Sequence, residues 1–251
     1  MPNRGTAVLI LPSLHYLEYG SCVMDKIAQQ FKDKLKIIEL RGSDANPENI
    51  DNAIRNNDPI FVFGLGHGNV NVYTVECTAL YMQVCDNRTR MMANRVIHLN
   101  SCLTAQQLGP DLVNKGALTY YGNYEEFYLL VRGPPCASKF ETTVFDAEYT
   151  IEKSLFAGKT TGQAQKDRLK AYDDEINYWT NGPGSGDPDA SIAVQVLTID
   201  KNIAKMLGKD NVTITSGGGG LSPALLYGLA ALTTFATFGY ISYIGTKHKK
   251  V

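Results

Sequence analysis

The chain has 251 residues, with 24 Lys and Arg against 25 Asp and Glu, for a formal net charge of −1. Three lysines of the tail (Lys247, Lys249, Lys250) leave −4 on the remainder, and no basic stripe or basic–aromatic interleaving occurs, which argues against nucleic acid as a partner. The five cysteines (Cys22, Cys77, Cys85, Cys102, Cys136) are odd in number and form no C-x-x-C pair, so neither a zinc site nor a disulfide framework is expected. Cys77 and Cys85, although they could face each other across a hairpin, read as unpaired structural thiols.

Residues 7–12 are too short an apolar run for a secretory h-region and predict a first strand. Val23, Ile27 and Phe31 share one helical face, predicting a helix over 18–34. Lys36-Ile37-Ile38-Glu39-Leu40 predicts a second strand. Asn46-Pro47-Glu48-Asn49 predicts a helix start, with Asn46 as the cap and Pro47 in the first turn. A third strand is expected over 59–64, leading to His67, then a small hairpin from 73–77 and 80–84. A fourth strand over 95–101 should feed a helix over 104–115, and a fifth strand spans 117–122. After Pro134-Pro135 the pattern turns helical, over 140–156, 161–179 and 189–207, the last being a helix or a helix preceded by a short strand. Apolar strands without polar alternation predict a parallel sheet covered on both faces, an α/β/α sandwich of one domain.

Residues 221–244 carry no charged side chain and follow the glycine run Gly217-Gly218-Gly219-Gly220. A helix of that length spans about 36 Å, enough to cross a hydrocarbon core of about 30 Å. Tyr227, Tyr240 and Tyr243 fall towards its ends, where amphipathic rings prefer the interface. The expected organisation is an α/β domain over 1–215, a glycine linker over 216–220, a transmembrane helix over 221–244 and a basic tail over 245–251. A buried core helix is the alternative reading of the apolar run. With no secretory signal read ahead of the first strand, the expectation is a C-terminal membrane anchor with the domain facing the cytoplasm. The tail lysines themselves favour the cytoplasmic side, partly balanced by Lys201, Lys205 and Lys209.

In open α/β sheets ligands bind at the carboxyl ends of the strands. The third strand ends in Gly64-Leu65-Gly66-His67-Gly68 and the fourth in Leu99-Asn100-Ser101-Cys102, so an imidazole and a thiol should meet in one crevice. A thiol becomes an effective nucleophile beside a base. The amides of Gly68 and Cys102 are the expected donors to an oxyanion, and the helix expected at 104 should favour the Cys102 thiolate. Taken singly, a Gly-His-Gly is a turn and a cysteine after a strand is a small buried hydrophobe; the juxtaposition points to chemistry. His98, inside a strand, reads as a core histidine, and His15 is undecided. Glu125 and Glu126, with Asp146 a weaker candidate, could line a pocket for a basic substrate side chain, against the plainer reading of a solvated charge pair. No metal or cofactor is expected.

An apolar strand followed by His67-Gly68 and another followed by Ser101-Cys102-Leu103 resembles the caspase-like cysteine peptidases, and the stretch from Gly64 to about Gly122 is most similar to the gingipain branch and its archaeal and bacterial relatives. The resemblance implies an endopeptidase with His67 as catalytic histidine, Cys102 as nucleophile and Gly68 at the oxyanion hole, acting on a protein or peptide. The residue that selects the side chain before the scissile bond is not marked by any motif. A domain followed by a membrane helix also resembles the legumain-like transamidase, which implies amine transfer as a second outcome. A membrane-tethered scaffold of the same fold is the third reading.

Overall fold

A computed structural model describes residues 5–13, 16–76 and 79–215. The chain divides between residues 219 and 220, and every described element belongs to the first unit. The expected transmembrane helix 221–244, its linker and basic tail, together with His15 and Cys77, lie outside the described residues. Among the described residues no helix is long and apolar enough to cross a membrane.

The main sheet is built from β1 (Thr6–Leu11), β2 (Lys36–Arg41), β3 (Phe61–Leu65), β7 (Val96–Asn100), β8 (Thr119–Asn123) and β9 (Ala204–Gly208). A smaller antiparallel sheet joins β4 (His67–Asn69), β5 (Val72–Thr74) and β6 (Leu80–Gln83). The main strand order is β2-β1-β3-β7-β8-β9, parallel throughout except for β9, which runs antiparallel to β8. Parallel neighbours need crossovers, and helices supply them: α1 (Leu17–Phe31), α2 (Pro47–Asn57), α3 (Asn87–Met91) and α4 (Leu108–Asn114). Four more come after β8: α5 (Lys139–Glu148), α6 (Thr150–Phe156), α7 (Thr161–Thr180) and α8 (Ala190–Ile203).

The two-residue period of a strand sorts the core into two layers. Ala7, Leu9 and Leu11 of β1, with Phe61 and Phe63 of β3, pack against α1, α5 and α6. Val8, Ile10, Val62, Ile97 and Leu99 point the other way, against α2, α4 and the tyrosines Tyr73 and Tyr81 of the small sheet. The expected sheet covered on both faces is present, parallel except at its β9 edge. Asn46 caps α2 as its sequence suggests, accepting from the Asn49 amide at 3.0 Å.

Four expectations are corrected. The helix expected over 104–115 begins only at Leu108, because residues 103–106 are held by distant backbone: the Leu103 amide donates to the Glu125 carbonyl and the Ala105 amide to the Asn123 carbonyl. The helix expected over 140–156 is two helices that meet at Tyr149. The segment 189–207 is helix first and strand second, since Ala204–Gly208 pairs with β8 as an edge strand. Finally, Cys22 of α1 and Cys136 form a disulfide across a separation of 114 residues. Closing a loop of that length restricts the unfolded chain strongly, so Cys22→Ser is expected to cost about 2–4 kcal/mol. Urea unfolding with and without reductant checks this; coincident midpoints would contradict it.

Candidate active site

The turn out of β3 is made by Gly66, whose amide donates to the Asn100 carbonyl at 3.3 Å. A Cβ there would lie 2.3 Å from the Thr74 carbonyl oxygen, so only glycine lets the chain double back into β4. His67 opens β4, exposed to solvent, and its carbonyl accepts from the Thr74 hydroxyl at 3.4 Å. At Gly68 a Cβ would stand 2.5 Å from the Cys102 carbonyl oxygen and 2.7 Å from Thr104 Cγ2. The main chain that follows the histidine therefore lies directly on the main chain that carries the cysteine.

The loop after β7 is fixed from several sides. Ser101 Oγ and Thr104 Oγ1 are 3.1 Å apart, the Tyr120 hydroxyl donates to Thr104 Oγ1 at 2.7 Å, and Asn123 Nδ2 donates to the Ser101 carbonyl at 3.4 Å. Leu103 sits at φ +64°, in the left-handed region. Such a conformation costs on the order of 1–3 kcal/mol outside glycine and persists where surroundings over-determine it. The flanking amides of Ser101 and Leu103 are used, on the Leu99 and Glu125 carbonyls, whereas among the described residues no backbone carbonyl takes the Cys102 amide.

His67 and Cys102 line one crevice of about 150 Å³, whose remaining described walls include Leu17, Leu65, Phe127, Leu129 and Phe145, with Asn100 beneath. Cys102 is half-buried, and burial pushes its thiol up; the Phe127 amide pulls it partly back, while the Glu126 and Asp200 carboxyls push it further. The helix-terminus activation expected from sequence is thus corrected: α4 starts at Leu108, six residues beyond Cys102 and four later than expected, and the thiol pKa is raised rather than lowered.

The structure brings His67, Gly68 and Cys102 together. Glu125 and Glu126 follow β8, near Cys102 but exposed, and neither lines the crevice; Glu126 takes the Tyr128 hydroxyl at 3.1 Å. Asp146, on α5, is bound to Lys139 at 3.0 Å and to the Thr142 hydroxyl at 2.8 Å, away from the crevice lining.

Sequence reasoning missed the charged cluster under the site. His98 is fully buried, with Nδ1 2.6 Å from Glu152 Oε1 and Nε2 3.1 Å from Glu148 Oε1. Two carboxylates facing both ring nitrogens call for an imidazolium; burial pulls its pKa down, but Glu152 and Glu148 outweigh it and the net shift is up. Arg168, also fully buried, forks onto Glu148 (Nε to Oε2 at 2.9 Å) and reaches Asn123 Oδ1 at 3.2 Å. Burial raises the Glu148 carboxyl, yet Arg168 and His98 bring it down to about 2. Through Asn123 the cluster holds the Ser101 carbonyl beside the nucleophile. A histidine inside an apolar strand was the one signal in the sequence; Glu148, Glu152 and Arg168 lie far along the chain from it, on helices that no local pattern ties to β7.

Asp200 of α8 is fully buried and accepts the Tyr128 amide at 3.0 Å. Burial pushes its carboxyl up to about 8, against the lowering by that amide. The folded state then holds a proton that the unfolded state releases above its ordinary value of 3.8. Stability from this group is full below about pH 4 and falls as pH rises towards 8. Asp200→Asn, which keeps the acceptor without a charge, is expected to flatten that slope and raise the melting temperature at about pH 8. Melting curves from about pH 4 to 8 check it; parallel profiles would contradict it.

No protein-family model matches this chain. No curated protein matches it in sequence.

Proposed function

We propose that this chain is a cysteine endopeptidase of the caspase-like kind, nearest the gingipain branch, anchored to a membrane through 221–244. The observation that carries the reading is the single crevice shared by His67 and Cys102, with the Gly68 backbone seated on the Cys102 carbonyl. Because the thiol pKa is raised, thiolate has to be formed at the moment of attack. His67 takes the Cys102 proton as Sγ bonds to the substrate carbonyl carbon, and the carbonyl π pair moves onto oxygen. The Cys102 and Gly68 amides hold that oxyanion; losing one such donor costs roughly 10²–10³ in rate. Collapse breaks the C–N bond, and the leaving amine departs with the proton from His67. A water then gives a proton to His67 and its oxygen to the thioester carbon, and the released thiolate recovers that proton.

Incubation with a mixed peptide library, read by mass spectrometry, tests this. New carboxyl termini that vanish in Cys102→Ala are expected, and an added amine captured at the same position would assign transamidation instead. No cleavage, or cleavage that survives Cys102→Ala, would overturn the reading. The raised thiol pKa favours one other reading, a tethered scaffold without turnover, and the same experiment separates the two.

The Cys22–Cys136 disulfide favours an oxidising compartment for the domain over the cytoplasm. Lys247, Lys249 and Lys250 then take the cytoplasmic side, in keeping with the positive-inside tendency. The redox state of that pair in freshly lysed, alkylated cells checks this; a reduced pair would return the domain to the cytoplasm.

A further inference from the structure

The crevice beside Cys102 is apolar where a pocket for a basic side chain would need a carboxylate. No Asp, Glu, Lys or Arg lies among its described lining residues; Leu17, Leu65, Phe127, Leu129 and Phe145 form its walls. Its volume, about 150 Å³, matches that of an engineered apolar protein cavity that takes up one benzene ring. Its polar lining is Tyr16, His67, Ser101, Cys102 and Asn100. Asn100, the last residue of β7, is 2 % exposed and lines the crevice, and its Nδ2 donates to the Tyr149 hydroxyl at 3.2 Å. Its Oδ1 has no partner among the described residues. A buried amide oxygen left unpaired is costly, and Asn100 is among the residues that line this ring-sized space.

We propose that this crevice receives the side chain preceding the scissile bond and selects an uncharged aromatic one, tyrosine before phenylalanine, with Asn100 as the specificity residue. The proposal rests on the peptidase reading and adds the substrate class to it. The ring replaces water against the leucine and phenylalanine walls, and the phenol hydroxyl donates to Asn100 Oδ1. A lysine or arginine side chain would carry its charge into the same space with no carboxylate among the described lining residues to meet it, and an aspartate would find no lysine or arginine there. Burial of an unpaired charge disfavours both strongly. The exposed Glu126 is engaged by Tyr128 and stands outside the lining.

The test uses the full chain in detergent and a series of peptidyl acyloxymethyl ketones differing only in the residue before the reactive group: Tyr, Phe, Leu, Lys, Arg and Asp. Cys102 Sγ displaces the carboxylate from the methylene carbon, forming a thioether while the thiol proton leaves with the carboxylate. Mass spectrometry then reads the rate of Cys102 modification. The tyrosyl probe is expected to react about tenfold faster than the phenylalanyl one, and the charged probes roughly a hundredfold slower than either. Asn100→Leu should bring the tyrosyl-to-phenylalanyl ratio to about one, and an unchanged ratio would remove Asn100 from the selection. A lysyl, arginyl or aspartyl probe that reacts fastest would overturn the aromatic pocket and leave the peptidase reading standing. Equal rates across the series, no faster than iodoacetamide, would overturn both. The wild-type series decides the pocket even if Asn100→Leu fails to fold.

Discussion

Arg168→Met is expected to destabilise the domain by about 3–5 kcal/mol, the usual consequence of removing one partner from a buried ion pair. The reason is specific. Glu148, fully buried, would keep only the Tyr172 hydroxyl at 2.7 Å and the His98 ring as partners, and a carboxylate now held near 2 would lose its largest support. The pH dependence has a definite sign. Glu148 contributes stability that is present above its ordinary value of 4.5 and lost as pH falls towards 2; without Arg168 that loss should begin at higher pH. Adding Glu148→Gln to Arg168→Met removes the uncompensated charge and should recover part of the stability. Chemical denaturation of wild type and both variants between about pH 3 and 7 measures this, and a single variant as stable as wild type would contradict it. His98→Ala should act on stability by the same route, since it strips Glu152 of its imidazolium.

Cys102→Ala and His67→Ala should each lower peptide turnover by roughly four orders of magnitude or more, as removal of a nucleophile or its base does elsewhere. Their melting should stay close to wild type. His67 is exposed and among the described residues its ring makes no hydrogen bond; Cys102 is half-buried, with the Phe127 amide near enough to its sulfur to favour the thiolate. The contrast with His98 is the informative part: one histidine should cost rate and no stability, the other mainly stability. Because the two catalytic groups act as a unit, the double variant should be no slower than either single one. Two losses that multiply would mean that His67 and Cys102 work independently.

The sheet was readable from the chain wherever a strand is buried on both faces, because such strands are uninterrupted apolar runs: β1, β3, β7 and β8 all fall within their expected spans or shift by a residue or two. The edge strand β9 was not, since Ala204-Lys205-Met206-Leu207 continues the pattern of α8 and only its pairing with β8 stops the helix. Likewise, the late start of α4 depends on acceptors at 123 and 125, and nothing in a local window announces them. The disulfide joins cysteines that no spacing relates. For the site, two strand ends were enough to bring His67 and Cys102 to one edge. The crevice walls were hidden because Phe127 and Leu129 belong to the irregular stretch 124–138, where no periodicity says which way a side chain points. The acidic residues of that stretch drew attention in the sequence, and its apolar ones line the crevice.

The central claim is that His67 activates Cys102. The rate of Cys102 alkylation by iodoacetamide, followed residue by residue by mass spectrometry from about pH 5 to 10, tests it in wild type and in His67→Ala. With burial holding the thiol up, the variant should lose reactivity at neutral pH and regain it only well above the ordinary thiol range, while the wild type reacts at neutral pH and Cys85 behaves identically in both. Superimposable Cys102 profiles in the two proteins would contradict the account.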